Sequence, residues 1–361
     1  MARSRSLCAF LLIVALLVCS RTPVSAQQKL FEFNYGTPTA DEGTLWVEQK
    51  LDLFHKVGLD PKFYYFASGA PLLAALKSGS VDVVQGGLGF AFALGQNIPM
   101  KIMFWGTNNA AGEALIVDPK SGIKSYKDIS KAAKIGAASG TCAQTSLYLI
   151  AKKVGIDYSK LNIVNIPAPL FHNAFLSHSI DAGISWLPYS MALQQDGFPA
   201  ASYDQDYSPP GGLCPGMVAA RPDFLKEHPE IGVKLLEVEE MAKQALGKNL
   251  QVGIDAYVER LQVTPAVAKA TLERECFLRF ESWCKKSQIH VPSFDEQLDE
   301  NSPYSVTSRT KGLVGMLYEA GQILAAVHTI SAPIPLSVIQ NAVDPTALKE
   351  YMAKHKNRPV K

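Results

Sequence analysis

Several large classes of protein are excluded by what this chain lacks. Only six of its 361 residues are cysteine and seven are histidine, and its formal charge is +2. No stretch is strongly basic, so the electrostatic footprint for nucleic acid or an anionic membrane surface is missing. Beyond the N-terminal segment, no window reaches the roughly 18 apolar residues of a membrane-spanning helix. Cofactor signatures are absent too. Gly87 and Gly89 begin a Gly-x-Gly, but Phe92 stands where a dinucleotide fingerprint needs its third glycine. The small-residue stretch 136–146 is followed by no Gly-Lys-Ser/Thr, so it is no P-loop. No Gly-x-Ser-x-Gly elbow occurs. His172 and His178, six residues apart, point to different faces of one helix, a poor spacing for a shared metal. No metal and no cofactor are expected.

What is present begins with an export signal. Arg3 and Arg5 form a basic start, Leu7 to Val18 an apolar core too short to span a membrane, and Val24-Ser25-Ala26 a small-residue cleavage site. Residues 1–26 are expected to be a Sec-type signal peptide, with cleavage before Gln27. Cys19 raises a lipid anchor, but Val18 is bulky where a lipobox wants a small residue. Loss of Arg3, Arg5 and Arg21 takes the formal charge from +2 to −1. Four cysteines then remain, Cys142, Cys214, Cys276 and Cys284, in an oxidising compartment that favours disulfides. The preferred pairing is Cys276 with Cys284 and Cys142 with Cys214, against four buried free thiols. Cys142 is also weighed as a nucleophile, since a helix N-terminus favours thiolate.

Hydrophobic periodicity alternates between strand and helix. Phe31, Phe33 and Tyr35 alternate as in a strand, followed by an amphipathic helix near Leu45 to Val57. FYYFASG, VDVVQGG, KIMFWG and EALIVD read as further strands. The pattern restarts near residue 118: Ser125 and Asp128 form a capping box, KIGAAS is a strand, QTSLYLIAKKVG a helix closed by Gly155, and LNIVNIP and IDAGISW are strands. Such alternation implies parallel βαβ units. An internal echo supports two similar halves: AALKSGSVDV (74–83) aligns with AFLSHSIDAG (174–183) when Asp82 is set on Asp181. After Cys214 the chain turns helical. This order implies one α/β lobe inserted into another, with 27–115 and 213–361 forming lobe 1 and its C-terminal helices, and 116–212 forming lobe 2. The two crossings are expected near 112–118 and 208–216, where Pro209-Pro210-Gly211-Gly212 suits a hinge.

Two strand-to-helix loops stand out. Ser139-Gly140-Thr141 leads into one helix and Ser68-Gly69-Ala70 into another. Unpaired N–H groups, a helix dipole and a glycine that admits close approach suit such loops to an anion or polar group. Facing each other at the carboxyl ends of strands, they would grip one small molecule from both sides. None carries Arg or Lys, which disfavours a dicarboxylate. Asp41, Glu42 and Glu113, with Tyr35, Trp46 and Trp186, offer acid and aromatics to an ammonium group or nitrogen heterocycle. Asp41 and Glu42 equally favour a helix N-terminus.

The blocks SGAPLLAALKSGSVDVVQGG (68–87), SGIKSYKDISKAAKIGAASGT (121–141), IDAGISWLPY (180–189) and ARPDFLKEHPE (220–230) carry a resemblance. In their order and spacing they resemble the periplasmic solute-binding proteins of ABC importers, of the nitrate/sulfonate/taurine type that includes thiamine-precursor binders. The resemblance implies the type II periplasmic fold, an α/β architecture of two lobes closing on a ligand cleft across two hinge segments. It implies Thr37, Ser68 and Gly69 as ligand contacts from the first lobe, and Ser139, Gly140, Thr141 and Trp186 from the second. Asn109 and Glu113, beside the first crossing, are added as residues that point into the cleft. Three positions depart from the pattern: Gly183 replaces a tryptophan, His178 a turn glycine, and Cys142 follows the Gly-Thr. The implied role is a monomeric, non-enzymatic periplasmic protein that captures a small organic or oxyanion ligand and delivers it to an inner-membrane ABC permease. An exported enzyme and a sensor-kinase ligand receptor on the same fold are the alternatives.

Overall fold

Among the described residues, ten short strands sort into two sheets of five. The computed structural model describes residues 29–39, 42–66, 69–275 and 289–355. The expected signal peptide, Cys19, Asp41, Ser68, Cys276 and Cys284 lie outside them. The first sheet holds β1 (Phe31–Pro38), β2 (Leu59–Phe66), β3 (Val83–Gly86), β4 (Lys101–Asn108) and β10 (Pro215–Ala220), in the order β2-β1-β3-β10-β4. The second holds β5 (Ala114–Val117), β6 (Ile135–Ala137), β7 (Ile163–Asn165), β8 (Ala182–Ser185) and β9 (Ala200–Tyr203), in the order β7-β6-β8-β5-β9.

The echoed segments are structural twins. In the first lobe the Asp82 carboxylate accepts the Asn34 amide at 2.8 Å, while the Asp82 amide donates to Asn34 O. In the second, Asp181 accepts the amides of Ala133 and Lys134, at 2.7 and 2.9 Å, while its own amide donates to Lys134 O. Each Asp thus staples the start of one strand to its parallel neighbour. The turns ahead of them place Gly79 at φ 77° and His178 at φ 50°. That left-handed backbone is why a glycine is the ordinary residue there. His178 accepts the conformation, and its Nδ1 meets the buried carboxylate of Asp118.

Parallel pairing is only part of each sheet. β1 pairs parallel with β2 and β3, and β6 with β7 and β8. β10 runs antiparallel to β3 and β4, and β5 antiparallel to β8 and β9. The expectation of parallel units therefore fails at these two strands. Each is the first strand after a crossing, so the chain enters its sheet from the opposite lobe and runs against its neighbours. The crossings occupy residues 109–113, between β4 and β5, and 204–214, between β9 and β10.

The first lobe carries α1 (Leu45–Lys50), α2 (Leu53–Lys56), α3 (Gly69–Ser78) and α4 (Gly89–Gly95); the second carries α5 (Cys142–Val154), α6 (Phe171–Leu176) and α7 (Tyr189–Gln195). The helix expected over Leu45 to Val57 is split, because Asp52 sits at φ 53°. The Ser125–Asp128 capping box forms, but on a 3-10 turn, Tyr126–Lys131. The return to helices comprises α8 (Pro222–Glu227), α9 (Glu230–Lys248), α10 (Leu250–Leu261), α11 (Pro265–Glu275), α12 (Phe294–Leu298), α13 (Gly312–Ala326), α14 (Leu336–Ala342) and α15 (Thr346–His355). These are not an appendage of one lobe. α13 packs on α4 of the first lobe and α5 of the second, and α11 packs on α7. One large core, including Trp46, Trp105 and Phe104, runs under the first sheet and into α5, while Phe171, Phe175, Ile180 and Phe198 form a second cluster beside β5. No helix among the described residues is long and apolar enough to cross a membrane.

Candidate functional site

The second-lobe loop turns sharply between β6 and α5. Gly140 adopts φ 72°, which a side chain would strain, and Thr141 is extended as N-cap of α5. The loop's donors are largely spoken for. The Ser139 amide donates to Asn165 Oδ1 at 3.0 Å and the Gly140 amide to Gln144 Oε1 at 2.9 Å. Thr141 Oγ1 donates to Ala138 O at 2.7 Å, so its hydroxyl closes the turn instead of capping the helix. Gln144 Oε1 also accepts Thr329 Oγ1 at 2.9 Å, from the segment after α13. This loop is braced by the C-terminal region as well as by its own lobe.

Opposite it, the first lobe presents the ends of β1 and β3 and the starts of α3 and α4. Between the two walls lies a cleft of about 410 Å³. Six sequence-predicted site residues line it: Gly69, Asn109, Ser139, Gly140, Thr141 and Trp186. A Cβ at Gly140 would come within 3.7 Å of the Phe92 ring of α4, so the two walls approach closely here. Thr37 does not line the cleft; it is fully buried and its Oγ1 donates to Pro38 O at 3.3 Å. Glu113 is buried behind the cleft. Tyr35 and Trp46, considered as ring partners for a ligand, are core residues, each 2% exposed.

The cleft also uses residues that were not singled out as contacts: Pro38, Thr39, the run Gly86–Phe90, Phe92, Asn165 and Tyr189. The glycine run carries a signal, since it ends a strand, but its spacing matches only a broken dinucleotide motif. Tyr189 stands three residues after Trp186. Thr329 gave no signal, because its place depends on the path of the C-terminal helices. Gly183, where the family pattern has a tryptophan, lies in β8 under Phe171, and even a Cβ there would overlap that ring. The phenylalanine fills the space a larger residue would need.

At the hinge, each crossing contributes a fully buried carboxyl, Glu113 from the first and Asp204 from the second. The Asp204 amide donates to Glu113 O at 3.0 Å. Burial, then the neighbouring Asp204 charge, holds the Glu113 carboxyl well above its ordinary range, partly offset by the hydroxyl of Ser146, which donates to Glu113 Oε1. Burial pushes Asp204 up to about 7, against bonds from Ser208 and the Leu213 amide. Beside Glu113 the Cys142–Cys214 disulfide ties the start of α5 to the end of the second crossing, with Cα atoms 5.3 Å apart. The Glu113 carboxyl and the two sulfurs lie within 4.8 Å of one another, but the sulfurs are committed to their mutual bond and offer no thiolate. His172 and His178 go to separate partners, Asp196 and Asp118.

A family model described as NMT1/THI5 like matches residues 40–249. A Brucella abortus (strain 2308) protein described as a binding protein is 28% identical over 231 residues, 63% of this chain and 69% of its own. The periplasmic nitrate-binding protein NrtA of Synechocystis PCC 6803 superposes with a TM-score of 0.69 at 13% identity, over 92% of this chain and 90% of that one. The alkanesulfonate-binding protein SsuA of Xanthomonas axonopodis pv. citri, solved with MOPS bound, gives 0.60 at 20% identity, over 67% and 83%. The desulfurization enzyme DSZB gives 0.61 at 13% identity, over 90% and 99%. At these identities the solved structures establish the fold, and the fold serves both binding proteins and an enzyme.

Proposed function

The chain belongs to the NMT1/THI5-like family, and from that premise we propose that it is the exported solute-binding component of an ABC importer. It captures a small molecule between its lobes in the periplasm and presents the closed form to an inner-membrane permease. The observation that carries this reading is the cleft itself, whose walls come from the loops at strand ends of both sheets. Gly69, Asn109, Ser139, Gly140, Thr141 and Trp186 are assigned to its ligand surface, with Ser68 next to Gly69 in sequence, and Thr37 and Glu113 supporting it from behind.

Closure needs a hinge and contacts made only when the lobes meet. The two crossings supply the hinge. Tyr189 Oη donates to Thr39 O at 2.6 Å, from α7 of the second lobe to the first. Gln144 with Thr329, and Gln195 with Thr264 at 2.9 Å, join the second lobe to the C-terminal helices. A ligand held by both walls favours this closed form over an open one. No bond in the solute is made or broken, and the cleft cysteines, joined to each other, supply no thiol nucleophile. The test is a thermal-shift screen of the mature protein against small organic solutes and oxyanions. A ligand at 100 times its Kd adds about 2.7 kcal/mol of stability. Turnover of a cleft ligand by the purified protein would replace this reading with the enzymatic one.

A further inference from the structure

Three features near the hinge have no part in solute capture. First, Cys142 and Cys214 both line the cleft, so a small molecule held there comes against their disulfide while the protein stays folded. Second, the two sulfurs are not equivalent. Cys142 is the first residue of α5, a helix of 13 residues whose N-terminal dipole favours a thiolate. Cys214 ends the second crossing and has no such helix behind it. Thiol–disulfide exchange expels the sulfur whose thiol is the more acidic. An attacking thiolate therefore joins Cys214 and releases Cys142. Third, a carboxyl oxygen of the fully buried Glu113 lies within 4.8 Å of both sulfurs. Oε1 takes the Ser146 hydroxyl, while Oε2 has no hydrogen-bond partner among the described residues. Asp204 and Tyr207 of the second crossing and Ser146 of α5 are the polar groups that bear on it. Burial, then Asp204, keeps the acid protonated.

A neutral acid with an unmet oxygen beside a disulfide has one natural task. Breaking the S–S bond creates a sulfur anion in a buried place, and a proton at hand removes the cost of that charge. Going beyond the solute-binding reading, and independently of it, we propose that the Cys142–Cys214 disulfide is a redox-active site for small organic thiols, with Glu113 as the acid that protonates the departing Cys142 sulfur. A thiol loses its proton to water, and its thiolate attacks Cys214 Sγ. The new bond joins that sulfur to Cys214. The electron pair of the broken bond leaves on Cys142, which takes the Glu113 proton, and water restores the acid. A second thiolate attacks the outer sulfur of the mixed disulfide, and Cys214 leaves as a thiolate that water protonates. Two thiols are oxidised to one free disulfide, and the protein disulfide is reduced to two thiols. The exchange is stoichiometric, and it unties α5 from the second crossing.

The test adds 2-mercaptoethanol to the mature protein without denaturant, traps free thiols with iodoacetamide and locates them at Cys142 and Cys214 by peptide mass. Reduction is expected to be proportional to thiol concentration, and its rate constant per thiolate to fall as pH rises and Glu113 ionises. Glu113→Gln keeps the size of the acid without its proton. It is expected to slow reduction at pH 6 at least about tenfold, the low end of general acid catalysis, and to abolish the fall with pH. Ser146→Ala removes the hydroxyl that lowers the acid's value, and is expected to move the fall to higher pH. A merely structural role would change rates without moving this profile. A rate independent of thiol concentration would mean that the disulfide reacts only after unfolding, and would overturn the proposal. A profile that survives Glu113→Gln would belong to Asp204 and overturn it too. If circular dichroism shows Glu113→Gln unfolded, Ser146→Ala decides, and an unshifted profile overturns the proposal. None of these outcomes touches the solute-binding role, which the thermal-shift screen decides by itself.

Discussion

The buried carboxyls of the hinge have a consequence that pH exposes. Asp204 is raised to about 7 by burial, whereas an unfolded aspartate titrates near 3.9. Between those values the folded state holds a proton that the unfolded state has lost. The linkage therefore runs so that this group's stabilising contribution is full at low pH and is lost as pH rises through the folded value. Glu113, raised for the same reason, acts in the same direction. Asp204→Asn keeps the size of the neutral acid without the charge. The stability difference between variant and wild type, measured in urea, is expected to grow in the variant's favour from about pH 4 to about pH 7 and level off above. A difference independent of pH would mean that Asp204 is already ionised. At this scale the sequence was partly legible. It marked position 178 as departing from a glycine, and the left-handed backbone found there is the reason. It gave no sign that Glu113 faces a second buried carboxyl, because Asp204 is ninety-one residues away.

Elements declare themselves where the signal is local. The Ser125–Asp128 capping box, Pro222 at the start of α8 and Gly155 closing α5 all hold. The split of the expected Leu45–Val57 helix was hidden, since its apolar spacing suits a continuous helix and only the backbone at Asp52 breaks it. The disulfide is the strongest tie between elements. It joins α5 to the segment leading into β10 across 72 residues. Closing a loop of that length contributes about 4 kcal/mol in the chain-entropy account. Replacing both Cys142 and Cys214 by serine is expected to lower the melting temperature markedly and to change ligand affinity little, because the loop donors are fixed by Asn165, Gln144 and Ala138. Affinity that collapses while the fold persists would show instead that the disulfide shapes the cleft.

For the whole molecule the decisive property is that the lobes meet. Tyr189 to Thr39 and Thr329 to Gln144 are contacts that opening would break. Each bond is worth about 1 kcal/mol net, so removing one lowers affinity about fivefold if only the closed form binds. Tyr189→Phe and Thr329→Val are expected to act so, and to act nearly additively, being on separate elements. Unaltered affinity in the double variant would show that these contacts do not set the closing equilibrium.

The sequence by itself determined the alternation of strand and helix, the repeated Ser-x-Ser-x-Asp device and the two-lobed α/β class. These rest on periodicity and turn chemistry, which act over a few residues. Only the tertiary structure decided which loops share a cleft. It buried Thr37, Tyr35 and Trp46 away from that cleft, carried Thr329 to the opposite lobe's loop and consumed the amides of Ser139 and Gly140 within the protein. The reason is physical: a site between two lobes is set by the hinge path and by long-range packing, and neither leaves a period in the chain.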